Sequence, residues 1–347
     1  MAKKKNENSP LKDFNPNDVA AAGNNIFGLP FNTENAKLVL LPVPWEVTVS
    51  YKSGAAKGPE AIFDASMQVD LYDPIAPNIW QKGIAMTDIN PKVAKLSKQL
   101  RSDVEKYIDG LQHGKTNEAT SKKVNQACEA MIDFVEEETS VLLIEKKLVG
   151  LIGGDHSTPL GFIKALAKKH KEFGVLQIDA HCDLREAYEG FKYSHASIMF
   201  NVLKEVGAVK KLVQVGIRDY CEEEMDLIKS SKKVKTFFDK DLKQLQFSGE
   251  SWKKTCDKIV KELPQNVYIS FDIDGLDPKL CPNTGTPVPG GLEFEQAVYL
   301  METILTAGKK IIGFDLNEVA SGKDEWDANV GARMLFKMCH LILKSNS

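Results

Sequence analysis

Three short stretches hold most of the side chains able to do chemistry. "LIGGDHS" carries Asp155 and His156, "QIDAHCD" carries Asp179, His181 and Asp183, and "SFDIDGLD" carries Asp272, Asp274 and Asp277. Each closes an apolar run, and a fourth run, "IIGFD", leads on to Glu318. Two histidines and four of the aspartates (His156, Asp179, His181, Asp183, Asp272 and Asp274) brought to one place would carry four negative charges, which burial alone does not tolerate. Metal cations would neutralise them. An oxygen-rich set with one imidazole per ion suits Mn²⁺; Zn²⁺, Co²⁺ and Ni²⁺ fit as well, and Mg²⁺ fits less well because of the histidines. The lack of cysteine at most ligand positions argues against a structural zinc site.

Taken singly, each stretch has a plainer reading. Asp-x-His-x-Asp can be a surface turn, Gly-Gly-Asp-His a tight turn with a capping aspartate, and Asp-x-Asp-x-x-Asp a helix N-cap or a calcium loop. What sets them apart is where they fall. Apolar runs rich in Val, Ile and Leu recur as "KLVLLPVP" from Lys37, "KLVGLIGG" from Lys147, "GVLQIDAH" from Gly174, "KLVQVGIR" from Lys211, "NVYISFDID" from Asn266 and "KIIGFDLNEV" from Lys310. Runs of this kind suit strands buried on both faces. Stretches with helical spacing alternate with them, from Pro159, from Ser251 and from Leu292, the last stopped by Gly308. The alternation predicts an α/β protein, a three-layer α/β/α sandwich around a central, mostly parallel sheet. In such sheets ligands gather at the carboxyl ends of the strands, and all four polar clusters lie there.

The 347-residue chain is 43% hydrophobic and 27% charged, with a formal net charge of −3. These values describe a globular protein with a substantial core and no basic field of the kind that draws a chain onto nucleic acid or anionic lipid. No apolar run approaches the roughly 18 residues of a membrane span, and the lysine-rich start lacks the apolar core of a secretion signal, so a cytoplasmic protein is expected. The six scattered cysteines make no CxxC pair, and reduced thiols are expected. Residues 1–35 lack a sustained period and read as an N-terminal arm, much of it mobile; residues 36–347 read as a single catalytic domain.

"GGDHS", "DAHCD" and "SFDIDGLDP", in that order, resemble the three signature segments of the ureohydrolase family of arginases, agmatinases and guanidinobutyrases. "VSYKSGAAKGPEAI" from Val49 and "GTPVPGGL" from Gly285 are also similar to family segments. The resemblance implies an arginase-like fold and two Mn²⁺ per chain. His156 and Asp183 would serve one ion, His181 and Asp274 the other, and Asp179 and Asp272 both. It further implies that Glu318 hydrogen-bonds a guanidinium substrate, that His195 in "YSHAS" moves a proton toward the departing amine, and that the chain assembles as a homotrimer or homohexamer. A pair of cations lowers the pKa of bound water, which supplies the strong nucleophile that a poorly electrophilic guanidinium carbon demands. Asp155 and Asp277 are expected to orient the metal-binding imidazoles and loops, and Gly153 and Gly154 to let the backbone approach the site closely.

The wording after the second signature, Arg185 followed by "EAYEGFKYSHAS", resembles the shorter prokaryotic agmatinases. Cys221 stands where arginases carry an aspartate for the α-amino group, which leaves Glu224 for a cationic tail. Arg185 is expected to pair with Glu186 or Glu189, and Trp326 to narrow the pocket. The resemblance thus implies hydrolysis of agmatine to putrescine and urea, a step of polyamine biosynthesis. The alternatives are an arginase, a guanidinobutyrase or other guanidino-compound hydrolase, and a formimidoylglutamase, a group that usually lacks a histidine at the position of His195. Two more distant ones are a metallophosphoesterase and a non-catalytic member of the family.

Overall fold

A computed structural model describes residues 10–21 and 23–347. In chain order its regular elements are β1 (Leu38–Val43), α1 (Gly58–Ser66), β2 (Ile84–Met86), α2 (Pro91–Gln112), α3 (Glu118–Ile144), β3 (Leu148–Gly153), α4 (Leu160–Lys169), β4 (Phe173–Ile178), α5 (Ile198–Glu205) and β5 (Val209–Ile217). After them come α6 (Glu222–Ser230), β6 (Val234–Phe238), α7 (Asp239–Phe247), α8 (Trp252–Lys261), β7 (Asn266–Asp272), α9 (Phe294–Thr306), β8 (Lys310–Asn317) and α10 (Trp326–Ser345). The strands form one sheet in the order β2-β1-β3-β8-β7-β4-β5-β6, and every pairing is parallel. Parallel strands joined by helical crossovers must be covered on both faces. All residues of β1 and β4 are buried, as the continuous apolar runs required.

Two groups of helices provide the cover. α10 packs on both α1 and α9, with α8 beside α9, and α3 packs on α4, with α2 beside α3 and α5 beside α4. Phe162 of α4 meets Tyr268 of β7 edge to face, with ring centroids 5.4 Å apart, a contact worth about 1 kcal/mol beyond the area it buries. The three-layer α/β/α sandwich inferred from the alternation is therefore the architecture found. Two strands escaped the sequence pattern. β2 has only three residues, and β6 ("VKTFF") buries only Val234, its other four positions being exposed or half-buried. Both are edge strands, with one neighbour each, so neither needs a long apolar run.

Of the region expected to be an arm, residues 1–9 and residue 22 lie outside the described residues. Further along, Ile26, Phe27, Leu29 and Phe31 are buried, and the Phe27 ring packs on Phe336 of α10 at 5.1 Å. No helix among the described residues is long and apolar enough to cross a membrane.

The sheet order bears directly on the site. β3, β8, β7 and β4, the four strands that precede the polar clusters, are consecutive neighbours at its centre. Their carboxyl ends therefore open side by side onto one crevice.

Candidate metal centre and active-site cavity

That crevice holds a cavity of about 500 Å³, and His156, His181, Asp183, Asp272, Asp274, His195 and Glu318 all line it. Asp179 lies fully buried behind them. Backbone donors aim most of the carboxylates. Asp179 Oδ1 accepts from His181 N at 2.7 Å and its Oδ2 from Gln177 Nε2 at 2.8 Å. Asp272 Oδ1 accepts from Asp274 N at 2.9 Å, and Asp274 Oδ1 accepts from Ala180 N at 3.0 Å. Asp272 and Asp274 each keep the other oxygen for an imidazole, and Asp179 Oδ2 faces His156 while also accepting from Gln177.

His156 lies at the centre of the cluster. Its Nδ1 is 3.0 Å from Asp179 Oδ2, 3.0 Å from Asp183 Oδ2 and 3.3 Å from Asp272 Oδ2, yet makes no hydrogen bond. Its Nε2 lies 2.9 Å from Ser270 Oγ, and that hydroxyl donates to Asp315 Oδ1 at 3.0 Å. A hydroxyl has one proton to give, so Nε2 of His156 must be the donor to Ser270. With Nε2 committed to Ser270, Nδ1 faces three carboxylate oxygens, an arrangement that repels unless a proton or a metal cation sits between them. Burial works against a charged His156, but the three carboxylates of Asp179, Asp183 and Asp272 crowded around Nδ1 outweigh it and push the imidazole well above its ordinary range. The same crowding pushes Asp183 up to about 7, through burial first and the Asp179 charge second. A divalent cation among these donors would relieve the crowding.

His181 shows a second, shallower version. Its Nδ1 is 3.0 Å from Asp274 Oδ2 and 3.6 Å from Asp179 Oδ1, and its side chain is 25% exposed. Two groups of ligand atoms result, His156 with Asp179 and Asp272, and His181 with Asp179 and Asp274, so that Asp179 belongs to both. Asp183 joins the first group through its contact with His156. The residues present fit a pair of divalent ions.

Glu318 Oε1 accepts from His156 N at 2.9 Å. Burial, followed by the charge of Asp155, pushes its carboxyl well above the usual range, which a bound guanidinium would reverse. Glu318 and Asp183 both have positive φ, 62° and 55°. Non-glycine residues adopt that region at a cost and concentrate at functional sites. The glycines meet their expectation: a Cβ on Gly154 would lie 1.8 Å from the Trp45 carbonyl oxygen, and Gly154 O accepts from Glu318 N at 2.8 Å. His195 donates its backbone N–H to Thr48 Oγ1 at 3.2 Å, and its ring faces Tyr188 at 6.2 Å. Burial and the neighbouring rings of His181 and His156 push its imidazole down to about 3, so at pH 7 it is neutral with one nitrogen free to accept a proton.

Four expectations need correction. Arg185 pairs with neither Glu186 nor Glu189: Glu186 meets Lys204 at 3.2 Å, while the Arg185 guanidinium lies over the Tyr188 ring at 4.8 Å without an ion pair among the described residues. Trp326 does not narrow the pocket. It begins α10, donates Nε1–H to Lys279 O at 3.0 Å and stays outside the cavity lining. Glu224 lines the cavity, but its two oxygens accept from Leu184 N and Cys221 N, so it caps α6 and braces the loop instead of awaiting a cation. Asp155 and Asp277 touch no imidazole, although each does brace its loop. Asp155 accepts from Ser157 and Thr48, and Asp277 accepts from Lys279 N. Ser270, backed by Asp315, orients His156; its partner stands 45 residues away, and strand register is the signal that would have exposed it.

A parallel sheet whose central strands converge on paired histidines and carboxylates defines a metal-dependent hydrolase class, and comparison with known proteins gives it a family. Residues 36–340 match the model of the Arginase family. The chain is 31% identical over 287 residues to N(1)-aminopropylagmatine ureohydrolase of Synechocystis, covering 82% of each protein. It is 28% identical to the agmatinase of Pyrococcus horikoshii, covering 84% of this chain and 86% of the relative. The crystal structure of an agmatine ureohydrolase from Thermoplasma volcanium superposes with a TM-score of 0.68 at 25% identity, covering 91% of each. The chain belongs to the Arginase family and is a ureohydrolase, an enzyme that cleaves guanidino C–N bonds.

Proposed function

We propose that the chain hydrolyses agmatine, or a close derivative extended at the amine end, to urea and the corresponding amine, with two Mn²⁺ held by His156, Asp183, His181, Asp274, Asp179 and Asp272. The observation that carries the reading is the placement of Glu318, a buried carboxylate facing the cavity beside the ligand cluster, where it can hold a guanidinium. When bound, the two cations would neutralise the carboxylates and supply a water-derived nucleophile at neutral pH. Glu318 accepts guanidinium N–H bonds and turns the planar carbon toward the cluster. His195, neutral and lining the same cavity, accepts a proton and passes it to the departing nitrogen, which then leaves as the neutral amine instead of as an amide anion. The names of the two relatives support a substrate with a cationic tail. Asp219, on the cavity wall without an ion pair among the described residues, is a counter-charge for that tail. Assembly as a homotrimer or homohexamer in the cytoplasm belongs to the same proposal.

The unpaired Arg185 favours a second reading, in which the tail bears a carboxylate, as in guanidinobutyrate, arginine or formimidoylglutamate. Urea release from agmatine, arginine, guanidinobutyrate, guanidinopropionate and guanidine, with formimidoylglutamate assayed by its own product, tests both. Agmatine should lead in kcat/KM. If arginine or guanidinobutyrate leads by more than tenfold, the agmatine assignment falls and the ureohydrolase assignment stands.

A further inference from the structure

The hydrogen bonds that fix His156 and Asp179 start from a single line across the sheet. In strand register Thr236 lies beside Gln214, Gln214 beside Gln177, Gln177 beside Ser270, and Ser270 beside Asp315. Five polar residues on β6, β5, β4, β7 and β8 thus form one transverse row. It runs one step beneath the ligands, because Gln177 and Ser270 stand two residues before Asp179 and Asp272. Gln177, Gln214, Ser270 and Asp315 are each fully buried. In a core of Val, Leu and Ile, each such group costs about 1–3 kcal/mol if left unpaired, so the row survives only as a connected network.

Its bonds point at the ligands. Thr236 Oγ1 donates to Gln214 Oε1 at 2.7 Å, Gln214 Nε2 donates to Gln177 Oε1 at 2.7 Å, and Gln177 Nε2 donates to Asp179 Oδ2 at 2.8 Å. The same two amide nitrogens also reach the ligand loop, Gln214 at Cys182 O (2.8 Å) and Gln177 at His181 O (3.3 Å). At the other end His156 donates to Ser270 and Ser270 to Asp315, whose Oδ1 also receives the Asn317 amide. No hydrogen bond joins Gln177 to Ser270. The row therefore works as two arms, one ending on Asp179 and the other on His156.

We propose that this row is a positioning element for metal binding: the Gln214–Gln177 arm aims the carboxylate shared by both ligand groups, and the Asp315–Ser270 arm fixes the His156 tautomer that leaves Nδ1 free for a metal. The inference rests on the cluster being a metal centre. None of the five residues lines the cavity, so they act through the ligands. Partners of this kind change metal affinity by about 10- to 100-fold when removed.

Titration of the metal-stripped full chain with Mn²⁺ alone, followed by calorimetry and by the resonance signal of free Mn²⁺, tests this without substrate. Ser270→Ala and Gln177→Met should each weaken Mn²⁺ binding by about 10- to 100-fold, and Gln214→Met, one link further away, by less. Ser270→Thr, which keeps the hydroxyl, should restore affinity, and saturating Mn²⁺ should return most of kcat to Ser270→Ala. A merely structural role would lower the thermal stability of these variants and leave Mn²⁺ affinity where it was, which would overturn the proposal. A wild-type chain that takes up no Mn²⁺ or other divalent metal would overturn the metal centre itself, a distinguishable failure. Should Ser270→Ala fail to fold, the two glutamine variants decide.

Discussion

On the cavity floor, Asp179, Asp272, Asp274 and Glu318 each accept a backbone N–H, and His156 is held by Ser270. Around the rim, Arg185, Lys52 and Asp219 make no ion pair among the described residues, and each of the two cations lies over an aromatic ring, Arg185 over Tyr188 and Lys52 over Tyr51. One cavity thus joins an over-determined floor to an under-determined rim. Chemistry needs ligand atoms placed to within a fraction of an ångström, and only backbone donors and buried networks hold side chains that well. Recognition of a flexible substrate tail tolerates looser groups whose partners arrive with the ligand. The contrast predicts large, metal-linked effects from floor substitutions and smaller, substrate-dependent effects from rim substitutions.

The floor should fail first. Asp179→Ala removes the carboxylate common to both ligand groups and should lower urea release by at least about 10³-fold with loss of both metals. Asp274→Ala takes a ligand from the His181 side only. It should also abolish turnover but leave close to one ion per chain by elemental analysis. Two retained ions with near-normal rates in either variant would break the distinction drawn here. His195→Ala belongs to the floor's chemistry but not to its ligands, so about 10²-fold in kcat should be lost with both metals in place. Metal loss in that variant would make His195 a ligand or fold residue.

The floor was also the legible part. Its candidate ligands sit at the ends of apolar runs that suit buried strands, so types and spacing pointed to one crevice for His156, Asp179, His181, Asp183, Asp272 and Asp274, where the fold brings them together. The supports beneath them were not legible. Ser270 beside Asp315 and Gln177 beside Gln214 depend on strand register, which no local pattern reveals. The positive φ of Asp183 and Glu318 was hidden for a similar reason, since the surrounding fold imposes it. At the rim the local argument failed outright: charge proximity in sequence put Arg185 with Glu186 or Glu189, whereas the loop turns Glu186 toward Lys204 and lays Arg185 on Tyr188.

Arg185 gives the rim its sharpest test. A guanidinium that receives a substrate carboxylate makes charge-assisted hydrogen bonds worth about 1.5–3 kcal/mol. Arg185→Ala should then lower kcat/KM for guanidinobutyrate and arginine by about 10- to 100-fold and leave agmatine within a fewfold of its starting value. Equal losses on all substrates would mean that Arg185 shapes the loop and reads no tail.

The smallest effect concerns Glu189, which follows Tyr188 on the rim and shows what an untethered carboxylate costs the fold. Its Oε2 is buried without a hydrogen-bond partner, its φ is 54°, and burial pushes its carboxyl up to about 7 against a weaker opposing pull from Arg101. The sign follows from linkage. A carboxyl whose pKa is higher folded than unfolded binds more protons in the native state, so it lowers stability as pH rises from its unfolded value of 4.5 to about 7. Fully transmitted, that shift would be worth about 3 kcal/mol; water reaching a half-buried side chain reduces it to the order of 1 kcal/mol. Glu189→Gln removes the titration and keeps the shape, so denaturant unfolding should find the variant equal to the parent near pH 4.5 and more stable by about 1 kcal/mol at pH 8. Equal stability at both pH values would mean that water or Arg101 already satisfies Glu189, and that this part of the rim is tied down as firmly as the floor.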